Sequence, residues 1–306
     1  MPPPELVSIG MPVRNEARHL AEALDSLLAQ TWQEWELTIS DNASTDGTED
    51  IARAYAARDE RIRYERRPAD AGPRENWNRV ARGARGAFFF WAPGHDRWRP
   101  EFVAACVEAL HENSPPAGLA RTAASGDPPV VLAHPLACGL DEESRPVAVH
   151  NSRLDTRGLR AERRFLVTLF GLATALPVHG VIRTDALRRT ALMGANVGPE
   201  YPLVAELSLQ GAIAHVPRTL FDYRRLRQES QAEFTRRTLQ AWQQRRARQL
   251  VVTPEWELLR AHARVLRRAP LPARTKALLG PCLAVYALDR ISARGLRTTW
   301  LESPRG

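Results

Sequence analysis

Apolar runs of five or six residues alternate with amphipathic stretches through roughly the first hundred positions, and this alternation predicts a series of β-α units. Leu6–Gly10 reads as a buried strand, and from Ala17 to Ala29 the residues Leu20, Ala23, Leu24, Leu27 and Leu28 recur at helical spacing. Trp35–Ser40 predicts a second strand. Ser44–Thr48 then opens a helix through Ile51, Ala54 and Tyr55, where a Ser or Thr cap and nearby acidic residues suit the helix dipole. A third strand is expected at Arg61–Glu65 and a third helix over Glu75–Ala84. Ala87–Trp91 is the fourth strand, apolar enough to be buried on both faces. This alternation implies an α/β fold with a mostly parallel central sheet and helices on both faces.

Past the fourth strand the pattern changes. Pro115–Pro129 is rich in Pro, Ala, Ser and Gly and predicts a loop. Val130–Ala133 and Val147–Val149 read as strands flanking a turn at Asp141–Ser144. A helix over Ala161–Leu172, a strand at Val178–Ile182, a helix across Leu203–Leu209 and a strand at Ala212–Val216 follow. Beyond Arg224 the pattern is helical and charged, with Trp242, Leu250, Trp256, Leu258, Leu259 and Leu266 as the expected inward positions. The chain thus divides into an α/β unit over residues 1–225 and a helical C-terminal extension over 226–306.

Charge narrows the classes of partner. Lysine and arginine number 43 against 35 aspartates and glutamates, a formal net charge of +8, and Lys276 is the sole lysine. With Ala and Pro also abundant, this basicity reads as a solvated, arginine-rich surface. The arginines show no aromatic interleaving and no nucleic-acid-binding module, so no nucleic-acid partner is expected. The pairs Arg224-Arg225, Arg236-Arg237 and Arg245-Arg246 read as solvated helix faces. A second reading has them, with the apolar segment Leu278–Leu288, laying a helix on an anionic bilayer. Cys106, Cys138 and Cys282 form no Cys-x-x-Cys pair, which points to a reducing compartment rather than a disulfide framework or zinc site. Met1–Glu5 carries no signal-peptide pattern, and the longest apolar run, Ala277–Leu288, contains Gly280 and Pro281 and falls short of the roughly 20 residues of a spanning helix. A cytoplasmic protein is expected, with peripheral contact at the inner face of the membrane as its route to a bilayer.

In an open parallel sheet, ligands bind beyond the carboxyl ends of the strands. Three segments occupy such positions: Met11–Glu16 after the first strand, Asp41–Thr48 after the second, and Ala92–Asp96 after the fourth. Each alone is ordinary turn and cap chemistry. Together, Val7–Glu16 with its Pro-x-x-Asn-Glu loop and the acidic loop Asp41–Thr48 resemble the family 2 glycosyltransferases. Asp70-Ala71-Gly72, Asn78, Ala84 and Gly86 extend the resemblance across Leu6–Trp98, and His179–Arg183 with Glu200–Leu207 is similar to the acceptor-side portion of a bacterial branch.

That resemblance implies a GT-A-type fold and transfer of a sugar from a nucleotide-sugar donor to a saccharide, lipid-linked or small-molecule hydroxyl, with inversion. It places Pro12, Arg14, Asn15, Glu16, Asp41, Asn42, Asp46 and Asn78 at the nucleotide. Asp96 is then a ligand of a divalent metal, Mn2+ or Mg2+. His95 stands where the family carries another acidic residue, and reads as a second ligand, a diphosphate contact or a spacer. Asp41, acceptor-only when ionised, suits an N–H of the base. Glu200 matches the family's acceptor-side carboxylate and is the expected general base, with Glu206 as rival and a helix-start acid as the plain alternative. His179 reads as an acceptor contact or a satisfied strand residue. The thinned Gly94-His95-Asp96 motif also admits a weakened or inactive nucleotide-sugar-binding homologue. No Gly-x-Gly-x-x-Gly follows the first strand, which argues against a dehydrogenase.

Overall fold

The computed structural model describes residues 5–112, 128–150, 152–172, 174–196, 198–224 and 254–301. Most of the expected Pro-rich loop, the 225/226 boundary, Trp242, Leu250, Arg225 and the arginine pairs at Arg236 and Arg245 lie outside these residues.

The N-terminal half is the predicted series. Strands β1 (Val7–Val13), β2 (Trp35–Asp41), β3 (Ile62–Arg66) and β4 (Phe88–Trp91) are joined by helices α1 (Leu20–Leu28), α2 (Thr48–Ala56) and α3 (Pro73–Arg82), and all three strand pairings are parallel. A two-residue strand β5 (Arg97–Trp98), helix α4 (Phe102–His111), the long strand β6 (Val130–Leu140) and β7 (Pro146–His150) follow. Next come α5 (Ala161–Gly171), a 3-10 turn (Leu176–His179), β8 (Val181–Arg183), α6 (Thr184–Arg188), α7 (Glu200–Gln210) and β9 (Ala212–Arg224). The described chain ends in α8 (Pro254–Arg268) and α9 (Ala273–Leu301). One sheet runs β3-β2-β1-β4-β8-β6-β9-β5, with β7 on β6. Strand β8 enters antiparallel between β4 and β6, whereas β6 and β9 are parallel to each other.

Several elements depart from the expected bounds. The first strand continues through Met11, Pro12 and Val13. Pro12 is tolerated there because β4 has its last partner at Gly10, so no ladder bond on that side needs its missing N–H. Helix α4 was not anticipated: Phe102, Val103, Ala105, Cys106, Val107, Ala109 and Leu110 are all buried, so the segment has little polar face to reveal its period. The expected strand Val178–Ile182 is a 3-10 turn followed by a three-residue strand. Trp256, expected inward, is 55% exposed.

Burial explains the layering. Val7, Ile9, Met11 and Val13 face one way, into a core with Leu20, Leu24, Phe102 and Cys106. Phe89 and Trp91 face the other way, onto Val80, Val178, Leu203 and Val204. A third core joins Phe165, Leu169, Ala205 and Leu209 of α5 and α7 to Val265, Leu279, Leu283 and Tyr286 of α8 and α9.

Candidate active site

The first two strand-end loops are locked together by their own side chains. Asn15 adopts φ +56°, a left-handed conformation that Asn accepts more readily than most residues. Its side-chain oxygen accepts the Thr45 N–H at 2.8 Å, and its own N–H donates to Ser44 Oγ at 3.0 Å. The Glu16 N–H donates to Thr48 Oγ1 at 2.8 Å. Asp46 accepts from the Thr48 and Ala17 N–H groups, so it ties the start of α2, whose N-cap is Gly47, to the first loop. Burial acts to raise the Asp46 pKa, but these hydrogen bonds outweigh it and hold the carboxyl below its ordinary value. Arg14 pairs with Asp70, which also receives the Asn42 amide, while Asn42 Oδ1 accepts the Ala71 N–H at 3.0 Å.

Asp41 is fully buried at the end of β2. Its Oδ1 accepts the Ser44 N–H and hydroxyl at 2.8 and 2.6 Å, and its Oδ2 accepts the Tyr64 hydroxyl at 2.7 Å and Arg66 at 3.2 Å. These four contacts match the acceptor capacity of a carboxylate. A further donor could therefore reach this carboxylate only by displacing one of them, and Tyr64 and Arg66 are two residues that sequence reasoning passed over. Both alternate along β3, and only the register that sets Asp41 opposite Arg66 brings them to this carboxylate.

Asn78 does not join these loops. Its amide donates to the Met193 carbonyl at 3.0 Å and accepts the Met193 N–H at 2.9 Å, so it is committed to holding the segment before α7. Both polar atoms of its amide are engaged by the Met193 backbone, and the side chain is buried.

The third loop closes on the first. A Cβ on Gly94 would lie 2.9 Å from Val13 and 3.2 Å from Glu16, so glycine permits this approach. Across the contact His95 Nδ1 and Glu16 Oε1 are 2.9 Å apart. Burial opposes charge on the His95 ring, but the Glu16 hydrogen bond and the nearby Asp96 and Glu16 carboxylates outweigh it and raise its pKa to about 9. Asp96 is buried, and its Oδ1 accepts the Arg224 N–H at 2.7 Å. Burial pushes its carboxyl up to about 6 against the opposing influence of His95.

Arg224, read from sequence as a solvated cation, is instead the buried end of β9. Its side chain is 0% exposed. The guanidinium donates to the carbonyls of His95 at 2.9 Å and Asp141 at 2.9 Å, to Glu22 at 2.6 Å and to Ser144 Oγ at 3.0 Å. Backbone and side chain together thus bind both His95 and Asp96 to the end of β9 and the β6–β7 turn. The expected short strand at Ala212–Val216 concealed this role, because the strand continues eight residues further to Arg224.

Beside this cleft, the His179 ring stacks on Phe221 at 5.3 Å and meets Trp77 edge-on at 5.9 Å. Burial, aided by the His95 charge, lowers its pKa to about 4, so the ring is neutral. The 3-10 turn that carries His179 packs against α7, whose first residue is Glu200. Glu200 is half-buried, and burial raises its pKa. Glu206 is on another face of α7, where its carboxylate accepts the Ala191 N–H at 3.0 Å and lines a 440 Å³ cleft with Arg189 and Arg268.

The donor set limits what ion suits the site. No group of three or more His, Cys, Asp or Glu able to hold a metal occurs among the described residues. Of Asp96, only Oδ1 has a protein donor among those residues. A single available carboxylate oxygen fits an ion that takes the rest of its coordination from substrate phosphates and water, as Mg2+ commonly does, and does not fit a dedicated protein cage.

Comparison with known proteins agrees with this architecture. Residues 8–146 match the family model for glycosyl transferase family 2. TuaG of Bacillus subtilis, named provisionally as a teichuronic acid biosynthesis glycosyltransferase, is 30% identical over 109 residues, 36% of this chain and 43% of that protein. EpsE of the same organism is 51% identical over 51 residues, 17% of this chain and 18% of that one. The chain thus spans less than half the length of these curated relatives. Among solved structures, Staphylococcus aureus TarS 1-349 in complex with UDP-GlcNAc aligns with a TM-score of 0.62 at 18% identity, over 92% of this chain and 72% of that one. The mannosyltransferase PcManGT from Pyrobaculum calidifontis, in complex with GDP-Man and Mn2+, aligns at 0.51 and 15% identity, over 95% and 80%. Residues 8–146 are thus similar to glycosyl transferase family 2, and the described chain has a GT-A-type fold.

Proposed function

We propose that the protein transfers a sugar from a nucleotide-sugar donor to an acceptor hydroxyl on a saccharide, a lipid-linked molecule or a small molecule, with inversion. The observation that carries this reading is the convergence of Glu16, His95 and Asp96 at the carboxyl ends of β1 and β4 in a family 2 domain. TarS and PcManGT, whose structures are complexes with nucleotide sugars, support the choice of donor class.

In this scheme the nucleotide lies over the Arg14–Glu16 and Asp41–Asp46 loops, with Pro12 buried beneath them and Asp41, Tyr64 and Arg66 at the base. Arg14 and Asn42 reach it through rearrangement of their contacts with Asp70. A divalent ion, Mn2+ or Mg2+, would be held by Asp96 and would supply Lewis-acid stabilisation of the leaving group when bound. His95, with Nδ1 engaged by Glu16, turns its other ring nitrogen toward the diphosphate as a donor rather than a metal ligand. Glu200 takes the acceptor's proton as its oxygen bonds to the anomeric carbon and the bond to the diphosphate breaks. A raised carboxyl pKa makes Glu200 a stronger base than an exposed glutamate.

The small donor set favours one rival, a nucleotide-sugar-binding protein with weak or no transfer. Titrating UDP, GDP and dTDP with and without Mn2+ against wild type and Asp96→Asn tests the site, and donor hydrolysis separates the rival. Metal is expected to tighten binding of at least one nucleotide in the wild type and to do so far less in the variant. Equal affinity in all four combinations for every nucleotide that binds would refute the role of Asp96. Metal-dependent binding without donor turnover would favour the rival.

A further inference from the structure

Helix α9 is apolar on two opposite sides. Leu279, Leu283 and Tyr286 are buried against α5, α7 and α8. On the other side Ala277, Leu278, Pro281, Ala284, Val285 and Leu288 are all exposed, with Leu278 at 76% and Val285 at 58%. Arg274, Leu278, Pro281, Val285 and Leu288 follow one another at spacings of three and four residues, so they form one stripe. A helix apolar all round normally marks a core or a membrane span. Among the described residues no helix is long and apolar enough to cross a membrane. From Ala277 to Leu288 the stripe extends only about 18 Å at the helical rise.

Along the turn of the hairpin the charge has one sign, with Glu206 of α7 facing Arg268 from the side. Leu258–Leu288 contains six cations, Arg260, Arg264, Arg267, Arg268, Arg274 and Lys276, and no aspartate or glutamate. Arg267 and Arg268 end α8 while Arg274 and Lys276 begin α9, so four cations gather where the hairpin turns, at one end of the stripe. Two such faces brought together repel each other at that end. An anionic bilayer surface instead neutralises the cations while its acyl boundary receives Leu278, Val285 and their neighbours.

We infer that the α8–α9 hairpin docks the protein on an anionic bilayer surface, with the outward stripe of α9 lying in the interface plane and the cations at the turn against lipid headgroups. This rests on an apolar face and a charge pattern remote from the cleft and does not depend on the proposed chemistry. Because Ala205 and Leu209 of α7 pack in the same core as Leu279 and Leu283, the docked hairpin is continuous with the helix that begins at Glu200.

Co-sedimentation of the full chain with phosphatidylcholine vesicles, with and without phosphatidylglycerol, tests the inference. Binding is expected only with phosphatidylglycerol and should weaken as salt rises, because exposed charges are screened. Replacing Arg267, Arg268 and Arg274 with serine should lower partitioning on the order of a hundredfold, at about fivefold per cation. The pair Leu278→Gln and Val285→Gln should lower it more than tenfold. All five side chains are exposed, so both variants should melt with the wild type, and a melting scan verifies that a loss of binding is not unfolding. Equal binding to both vesicle types, binding to neither, or undiminished binding by the folded variants would each overturn the inference. A wild-type dimer in solution that Leu278→Gln with Val285→Gln dissociates would assign the face to a second copy instead.

Discussion

His95 and Arg224 are the residues on which the cleft depends most, and each makes a measurable demand on stability. The folded-state pKa of His95 is raised to about 9 from an ordinary 6.5. Its stabilising contribution is therefore complete below about pH 6.5 and is lost as pH rises through about 9, with an upper bound of about 3 kcal/mol. Asp96, raised from 3.8 to about 6, acts with the same sign over the lower window between those values. Urea unfolding at a series of pH values should show wild-type stability falling between pH 6.5 and 9 and a much flatter limb for His95→Gln. An unchanged slope in the variant would mean that the Glu16–His95 pair is not formed in solution. For Arg224→Ala, loss of a buried guanidinium bonded to Glu22, Ser144 and two carbonyls should cost on the order of 3 kcal/mol. Arg224→Lys should recover only part of it, since an ammonium cannot span that fan of acceptors. If Arg224→Ala unfolds at the wild-type urea concentration with the same slope, the fan contributes nothing. Neither role was accessible from residue type. The His95-Asp96 pair was visible, but its link to Glu16 needs two loops brought together, and Arg224 stood in a run of arginines that reads as surface.

At the scale of elements, what could be read followed from how much each segment contrasts with its surroundings. The four parallel strands and three helices before Trp91 alternate cleanly, so their order and the loops at their ends were legible. Helix α4 is buried on nearly every side, and β9 continues through the polar residues Arg218, Asp222 and Arg224, so periodicity missed the one and shortened the other. Helix α7 was expected at Leu203 and starts at Glu200, which moves the candidate base from the approach to a helix into its first turn. There it is joined to the cleft through the packing of α7 on the turn that carries His179 and on β9. Glu206 bonds the Ala191 backbone on another face of the same helix. Glu200→Gln should therefore leave donor binding intact while lowering transfer by roughly a hundred- to ten-thousand-fold, the usual worth of a positioned base. Glu206→Gln should mainly loosen the segment at Ala191, seen as a small drop in melting temperature with transfer nearly retained. The reverse pattern would move the base to Glu206.

The largest question for the whole molecule is whether the C-terminal helices form a separate unit, as a division at residue 225 implies. Their packing argues for dependence. Phe165, Leu169, Ala205 and Leu209 belong to the α/β unit by sequence, yet they are buried against Val265, Leu266, Ala269, Leu279, Leu283 and Tyr286. Ending the chain at residue 225 would expose those four side chains, and the three large ones alone account for a gross loss of about 5–9 kcal/mol at roughly 1.5–3 kcal/mol each. That is comparable with the whole stability of a typical domain, about 5–15 kcal/mol. The shortened chain is expected to melt far below the full chain or to aggregate during purification. In the full chain, Leu279→Ala with Leu283→Ala should shift the main unfolding transition to lower denaturant, because each buried leucine is worth about 2–5 kcal/mol and both sit in the shared core. A shortened chain that melts with the full chain and binds nucleotide, together with a double variant whose main transition does not move, would establish residues 226–306 as an independent domain. An aggregating short chain with a displaced transition in the double variant would show that α5 and α7 need the hairpin as part of their own core.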